Sequence, residues 1–187
     1  MSTSQTAAKS ATLTYNIDPT HTAAHFKVRH MMISWVRGEF TKISGTLTLN
    51  EANLAESKAA AEIDVNSINT RVGDRDKDLL SPNFLDAAKY PIIKFQSTKI
   101  EQTGSDEYRV TGDLTIHGVT RPVVLDVDSV TPEVKDPWGY IRRGAAAETT
   151  ISRKEFGLTT NPLLETGGVV IGDEIQINID VEFVRPA

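Results

Sequence analysis

The sequence predicts an all-β protein of about eight antiparallel strands, closed as a barrel or packed as a sandwich, with one short helical segment near residues 71–88. Three observations support this fold class. Apolar and polar residues alternate along most of the chain, turn-forming residues separate the alternating runs, and only residues 70–90 break that rhythm. Successive side chains of a strand point to opposite faces, so each run buries one face and exposes the other.

The alternating runs define the predicted strands. The clearest covers residues 175–183, where isoleucine, valine and phenylalanine interleave with polar residues. The other predicted strands cover residues 13–17, 26–30, 43–49, 59–65, 93–95, 108–116, 123–127 and 140–152. Residues 117–122 predict a tight hairpin, residues 136–139 a second turn, and the Gly-rich residues 166–169 a loop. Short turns of this kind join antiparallel strands.

The break in the rhythm predicts a short helix. Ser81 followed by Pro82 has the pattern of an N-cap and a first helical residue. Tyr90 precedes Pro91 and predicts the end of the helix, because a residue before proline avoids the α conformation. We therefore expect a helix over residues 82–88, one or two further turns over residues 71–80, and an apolar side resting on the sheet or covering a barrel end.

The composition predicts one globular domain. The 187 residues are 39% hydrophobic and 24% charged, and no apolar run approaches the roughly 20 residues of a membrane-spanning helix. We assign residues 12–187 to the domain and residues 1–11 to a disordered leader. The net charge of −5 disfavours a nucleic-acid partner. Because the leader lacks the apolar segment of a secretory signal, we expect a cytoplasmic protein, with a periplasmic one as the alternative.

No motif in the sequence predicts catalysis or metal binding. Cysteine is absent, which excludes thiol nucleophiles and thiolate zinc sites, and there is no G-x-S-x-G motif. His21, His25 and His30 are candidate zinc ligands by residue type, but residues four apart on a strand stand about 13 Å apart. We therefore expect no metal, no cofactor and no catalytic residue, and we interpret His117 as a turn residue.

Two unusual segments each leave two interpretations open. The charged run 71–80 either ties a loop to strand ends through its arginines, or places Arg71 and Arg75 at an anionic ligand head group. The apolar run 30–36 contains Met31, Met32 and Trp35. It is either a buried connection across a barrel end, or an exposed ligand-entry lip or dimer contact.

A series of short motifs runs in order along nearly all of the chain beyond Thr12. They are Tyr15-Asn16-Ile17-Asp18 with His21, Phe26-Lys27-Val28-Arg29-His30, Gly38-Glu39-Phe40 with Gly45, Ser67-Ile68-Asn69-Thr70, Arg75-Asp76, Leu79-Leu80-Ser81, Phe84-Leu85-Asp86, Tyr90-Pro91-Ile92-Ile93-Lys94-Phe95, Gly112-Asp113-Leu114-Thr115-Ile116-His117-Gly118-Val119-Thr120, Ser152-Arg153-Lys154-Glu155-Phe156-Gly157 and Ile171-Gly172-Asp173. As an ordered set, they resemble the YceI-like family, the polyisoprenoid-binding, lipocalin-like proteins of bacteria.

This resemblance implies an eight-stranded antiparallel lipocalin-like barrel around an elongated apolar pore. It implies a non-enzymatic protein that binds and carries or sequesters a long-chain amphiphile, such as a polyisoprenoid, an isoprenoid quinone or a fatty-acyl lipid. A homodimer is also implied. The alternatives are an enzyme or isomerase acting on such a lipid, and a stress-responsive interaction module whose pore is simply core.

The resemblance and the alternating stripes together indicate candidate binding residues. The expected head-group contacts are His21, Arg71 and Arg75. The expected pore lining is apolar and consists of Phe26, Val28, Ile63, Val65, Phe95, Leu114, Ile116, Ile151, Phe156, Ile177 and Ile179.

Overall fold

The computed structural model describes residues 12–162 and 168–187, whose strands form one antiparallel sheet of 12 strands. The expected leader, residues 1–11, and part of the Gly-rich loop lie outside the described residues. The strands are β1 (Leu13–Ile17), β2 (Ala23–His30), β3 (Ser34–Phe40), β4 (Ile43–Leu49), β5 (Lys58–Asp64), β6 (Ile68–Asn69), β7 (Ile92–Gln102), β8 (Tyr108–Ile116), β9 (Val119–Asp128), β10 (Val134–Lys135), β11 (Tyr140–Ser152) and β12 (Ile171–Pro186). Helix α1 spans Gly73–Leu80, and 3₁₀ turns lie at Leu54–Glu56, Val65–Ser67 and Arg153–Phe156. No helix in these described ranges is long and apolar enough to cross a membrane.

Eight of the strands close a barrel, as the sequence predicts. They pair in the order β11-β9-β8-β7-β5-β4-β1-β12, and β12 returns to β11. The closing strand β12 is 16 residues long and pairs with β11 along one edge. Along its other edge it pairs first with β2, from Ile171 to Asp180, and then with β1 at Phe183. One long strand therefore joins the barrel to an extension made of β2, β3 and β6.

Strand β3 is absent from the strands predicted above. Its register with β2 places Gly38 opposite Phe26, and a Cβ added at Gly38 would lie 2.4 Å from the Phe26 ring. The glycine leaves room for that ring, and together with its charged neighbours it hides the alternation of the strand. Residues 31–33 form the exposed turn between β2 and β3, so the interpretation of residues 30–36 as a buried connection is wrong.

The helical segment lies where the sequence predicts it, but its helix precedes Pro82 instead of following it. Helix α1 spans Gly73–Leu80, and residues 82–88 form turns. Ser81 is the C-cap of the helix, not an N-cap, and has an extended ψ of 166°. The physical reason is the same rule that we applied to Tyr90, because Ser81 also precedes a proline and avoids the α conformation.

The predicted hairpin at residues 117–122 is confirmed. His117 and Gly118 alone connect β8 to β9, and Ile116 pairs with Val119 across the turn. Both turn residues have positive φ angles, 51° and 73°, as a two-residue type I′ turn requires. The ring of His117 packs edge-on against Tyr90, with 4.6 Å between ring centroids. This histidine is therefore a half-buried turn residue.

Apolar side chains fill one end of the barrel, where β5 and β8 end and β7 begins. Segments that follow β5, α1 and β11 fold over this end and contribute to the cluster. Its buried members are Val65, Ile68, Leu85, Ala87, Ile93, Ile116, Ile151, Phe156 and Leu158. Full burial of one such large side chain stabilises the fold by about 1.5–3 kcal/mol, so the cluster contributes to the stability of this end.

Candidate functional site

A cavity of about 900 Å³ occupies the inside of the barrel. Its wall is formed by residues of all eight barrel strands and by parts of β2, β3 and α1. Leucine, isoleucine, valine, phenylalanine and alanine make up most of this wall. Pockets that bind small molecules have volumes of roughly 300–1,000 Å³ and mainly apolar walls with a few polar groups. The cavity therefore has the size and the chemistry of a site for one large apolar ligand.

Small side chains keep the barrel hollow. A barrel of eight strands is just wide enough to be filled by its own side chains or to hold one small ligand. In this protein, Ala59 and Ala61 of β5 and Ala145 and Ala147 of β11 line the cavity. Strands β5 and β11 are four places apart in the ring of eight, so they lie opposite each other. These four alanines leave open the space in which larger side chains would meet.

The structure places all of the predicted pore residues except Val65 on the wall of this cavity. Val65 is 2% exposed and belongs to the apolar cluster at the barrel end. Strand β5 ends at Asp64, and the chain then enters a 3₁₀ turn. Alternation predicts which residues of a strand point inward, but it does not predict where the strand ends. The part that the wall residues play in binding stays a prediction.

Of the three expected head-group contacts, Arg75 lies on the cavity wall and the other two do not. The Nε and Nη2 atoms of Arg75 donate to the hydroxyl and carbonyl oxygens of Thr70, at 2.7 and 2.8 Å. The carboxylate of Asp76 accepts two hydrogen bonds from Thr70, at 2.9 and 2.6 Å. These bonds tie α1 to the chain after β6, as the first interpretation of the charged run predicts. Arg71 is exposed and precedes the helix.

His21 lies in an ionic cluster and not on the cavity wall. Asp18, His21 and Glu182 bring three possible metal-binding atoms within 4.8 Å of one another. Arg142 lies between the carboxylates, because its Nη1 donates to Asp18 at 2.6 Å and also to Glu182. Hydrogen bonds from Thr20, Arg142 and His21 hold the pKa of Asp18 well below its usual range. The guanidinium already supplies the positive charge, so we interpret this cluster as a structural ion-pair network.

A buried tyrosine and its ionic partners lie at the other end of the barrel from the apolar cluster. Tyr15 is completely buried, and its hydroxyl donates to Glu133. The guanidinium groups of Arg143 and Arg185 lie 5.8 and 5.6 Å from its ring, and Arg185 also donates to Glu133 at 3.0 Å. Burial raises the pKa of Tyr15, and the hydrogen bond from Tyr15 lowers the pKa of Glu133. Arg143 also lines the cavity, so this cluster brings one positive charge to that end of the cavity wall.

Arg153 is a buried cation on the cavity wall, and it is absent from the predicted site residues. Its side chain is bonded to backbone carbonyls, from Nε to Gly172 at 2.9 Å and from Nη1 to Leu158 and Thr160. Burial lowers its pKa. These bonds fix the segment after β11 to the start of β12. The motif around residue 153 marked this position, but nothing in the sequence showed that the side chain reaches the cavity.

The fold and the cavity define the class of this protein as a lipocalin-like antiparallel barrel with an internal apolar cavity. Residues 15–183 match the YceI-like domain, and the chain belongs to the YceI family. Protein YceI of Salmonella newport is 38% identical to it over 173 residues, which cover 91% of this chain and 86% of that protein. The predicted resemblance is therefore confirmed.

Solved structures share this fold. The crystal structure of BcnA from Burkholderia cenocepacia has a TM-score of 0.77 and 25% sequence identity, and the match covers 89% of this chain and 98% of that one. A polyisoprenoid binding domain from Saccharophagus degradans has a TM-score of 0.67 and 18% identity, with coverages of 92% and 98%. At this low identity, the second likeness shows the fold alone.

Proposed function

We propose that this protein binds one long-chain amphiphile inside its barrel and carries or sequesters it. The candidate ligands are a polyisoprenoid, an isoprenoid quinone and a fatty-acyl lipid. The observation that carries this proposal is the cavity of about 900 Å³, whose wall is mostly apolar. The description of the Saccharophagus degradans domain as polyisoprenoid binding supports the same ligand class here.

The length of the cavity favours a chain over a compact ligand. On β12 the lining residues run from Ile171 to Phe183, and the part from Ile175 to Phe183 alone spans about 26 Å at 3.3 Å per residue. Each methylene group that such a chain buries contributes about 0.8 kcal/mol, which corresponds to about a fourfold gain in affinity. The affinity should therefore depend on chain length more than on the head group.

Arg75 is the head-group contact in this proposal. Two of its nitrogen atoms donate to Thr70, and the position of Arg75 on the wall brings its positive charge to the cavity. A guanidinium group binds phosphate and carboxylate oxygens through several N–H donors. An acidic amphiphile would therefore place its head group beside α1 and its chain along the barrel.

Native mass spectrometry of gently purified protein tests the proposed function. We expect a bound lipid that solvent extraction releases chemically unchanged. The delipidated protein should then take up prenyl alcohols and fatty acids at one molecule per chain, with an affinity that rises about fourfold per methylene until the cavity is full. The absence of both copurifying lipid and saturable uptake would overturn the proposal, and a chemically altered lipid would contradict a non-enzymatic carrier.

A further inference from the structure

The turn between β2 and β3 exposes three consecutive apolar side chains. Met31, Met32 and Ile33, here called the hairpin tip, are 37%, 57% and 77% exposed. Turns of hairpins are usually built from glycine, asparagine and other polar residues. Methionine and isoleucine gain nothing from contact with water, so their place at the tip requires another explanation.

The backbone of the hairpin tip is strained for the residues that it contains. Met31 and Met32 have φ angles of 50° and 61°. This left-handed region suits glycine or asparagine, and a side chain with a Cβ adopts it at a cost. Strain that is kept together with large exposed apolar side chains indicates a role for those side chains beyond forming the turn.

Positive charges flank the hairpin tip. Lys27 and Arg29 of β2 and Arg37 of β3 share the face of the hairpin opposite to Val28, and Arg29 and Arg37 are also among the residues that line the cavity. The Nζ of Lys27 and the Cζ of Arg29 lie 5.2 and 4.6 Å from the centre of a Trp35 ring. Within residues 12–162 and 168–187, no carboxylate lies within 4.0 Å of the three cations.

The hairpin tip adjoins the cavity. His30 and Ser34 flank the tip in the chain, and both line the cavity wall. The backbone N–H of Met31 donates to the carbonyl of Val170 at 2.7 Å, and Val170 also lines the cavity. A surface that binds the tip would therefore lie beside the cavity wall.

We propose that the hairpin tip and its three cations dock this protein on the surface of an anionic phospholipid bilayer. Met32 and Ile33 insert among the acyl chains at the interface, and Lys27, Arg29 and Arg37 lie beside the lipid phosphates. Exposed apolar residues next to a cluster of cations are typical of interfacial binding, and tryptophan is enriched at that depth. The protein has a net charge of −5, so an anionic membrane repels most of its surface. This repulsion favours the orientation in which the hairpin faces the membrane.

Cosedimentation with lipid vesicles tests this proposal with the full-length, delipidated protein. We expect binding to vesicles of phosphatidylglycerol and phosphatidylcholine, at least tenfold weaker binding to phosphatidylcholine alone, and a loss of binding as salt screens the charges. The double variant Met32→Ser/Ile33→Ser should bind at least tenfold more weakly. Arg29→Gln should bind about fivefold more weakly, because each cation near the surface contributes about a factor of five.

A matched control removes two exposed apolar residues elsewhere. Val134 and Trp138, near the β10–β11 turn, are 60% and 78% exposed, and the variant Val134→Ser/Trp138→Ser should bind vesicles as the wild type does. All variants should keep the thermal midpoint of the wild type, which shows that they fold. The proposal would be overturned if the wild-type protein did not bind anionic vesicles, or if both double variants lost vesicle binding to the same extent.

Two further outcomes separate this proposal from neighbouring ones. If the wild type forms a dimer that the tip variant loses, and neither binds vesicles, the tip contacts a second copy of the chain. If the delipidated protein binds vesicles but takes up no amphiphile, the docking surface stands and the proposed function fails. Docking requires no ligand in the cavity, so the two results are independent.

Discussion

Replacing Ala147 with phenylalanine should block the cavity without unfolding the barrel. Ala147 lies in the middle of β11, paired with Ile179 on β12 and Val127 on β9. Its side chain lines the cavity on the side opposite to Ala59 and Ala61. A phenyl ring at this position would occupy the space that we assign to the ligand chain.

The expected magnitude follows from the carbon atoms that the ring displaces. A phenyl ring occupies about the volume of six methylene groups. If the ligand lost the burial of six methylenes at about 0.8 kcal/mol each, it would lose about 5 kcal/mol of binding free energy. A chain that bends around the ring and loses half of these contacts would lose about 2.4 kcal/mol, or about 50-fold in affinity. The ring itself gains about 2–3 kcal/mol from burial, and overpacking costs about 1–3 kcal/mol, so the stability of the fold should change little.

Calorimetric titration of the delipidated variants with a long prenyl alcohol measures this effect. The matched control is Ala146→Phe, because Ala146 is adjacent, pairs with Asp128 and Asp180, and does not line the cavity. The control should bind as the wild type does, whereas Ala147→Phe should bind at least about 50-fold more weakly. Wild-type affinity in a folded Ala147→Phe variant would refute the assignment of the ligand to the cavity.

Two further predictions concern stability. Gly38→Ala should lower the free energy of unfolding by about 1–3 kcal/mol, since its Cβ would lie 2.4 Å from the Phe26 ring, and urea unfolding of a double variant with Phe26→Leu should recover part of the loss. Asp18→Asn should cost about 1.5–3 kcal/mol at pH 7, because Arg142 loses a charged acceptor. The pKa of Asp18 is lowered in the fold, so its stabilising effect is present above the unfolded pKa of about 4 and is lost below it. The difference in unfolding free energy between wild type and Asp18→Asn should therefore become smaller from pH 7 to pH 3. A difference that stays constant with pH would contradict the role of the Asp18 carboxylate. A Gly38→Ala variant as stable as the wild type would contradict the packing argument at Gly38.

The barrel could be predicted from the sequence because each of its strands has one face towards the cavity and one towards water. That contrast produces the period of two, as in β12, where Ile175, Ile177 and Ile179 alternate with polar residues. Strand β3 lacks this contrast, because residue 38 is a glycine. The ring of Phe26, from the neighbouring strand, occupies the space where a side chain of residue 38 would lie. The sequence predicts the helix after Pro82, whereas the structure has it before Ser81. The pair Ser81-Pro82 fits the pattern of a helix start and also the pattern of a helix end, so the sequence does not distinguish the two.

The apolar part of the candidate site could be predicted for the same reason, but its polar parts could not. Tyr15 and Glu133 are separated by 118 positions, and no local pattern connects them. Arg153 bonds to backbone carbonyls, which leave no mark on the sequence. His21 is an expected head-group contact, yet the fold places it beside Asp18, which also accepts a hydrogen bond from Arg142 of a distant strand.

The closing role of β12 also determines when the cavity first exists. Phe183 pairs with Ile17, so two distant segments of the chain must meet before the ring is complete. Long-range pairing of this kind is slow, because the entropy of loop closure is lost before the contacts form, and all-β domains typically fold within milliseconds to seconds. During synthesis, β1 and β2 remain with unpaired edges and exposed apolar faces until β12 leaves the ribosome. The cavity is therefore complete only after β12 has paired with both β1 and β11.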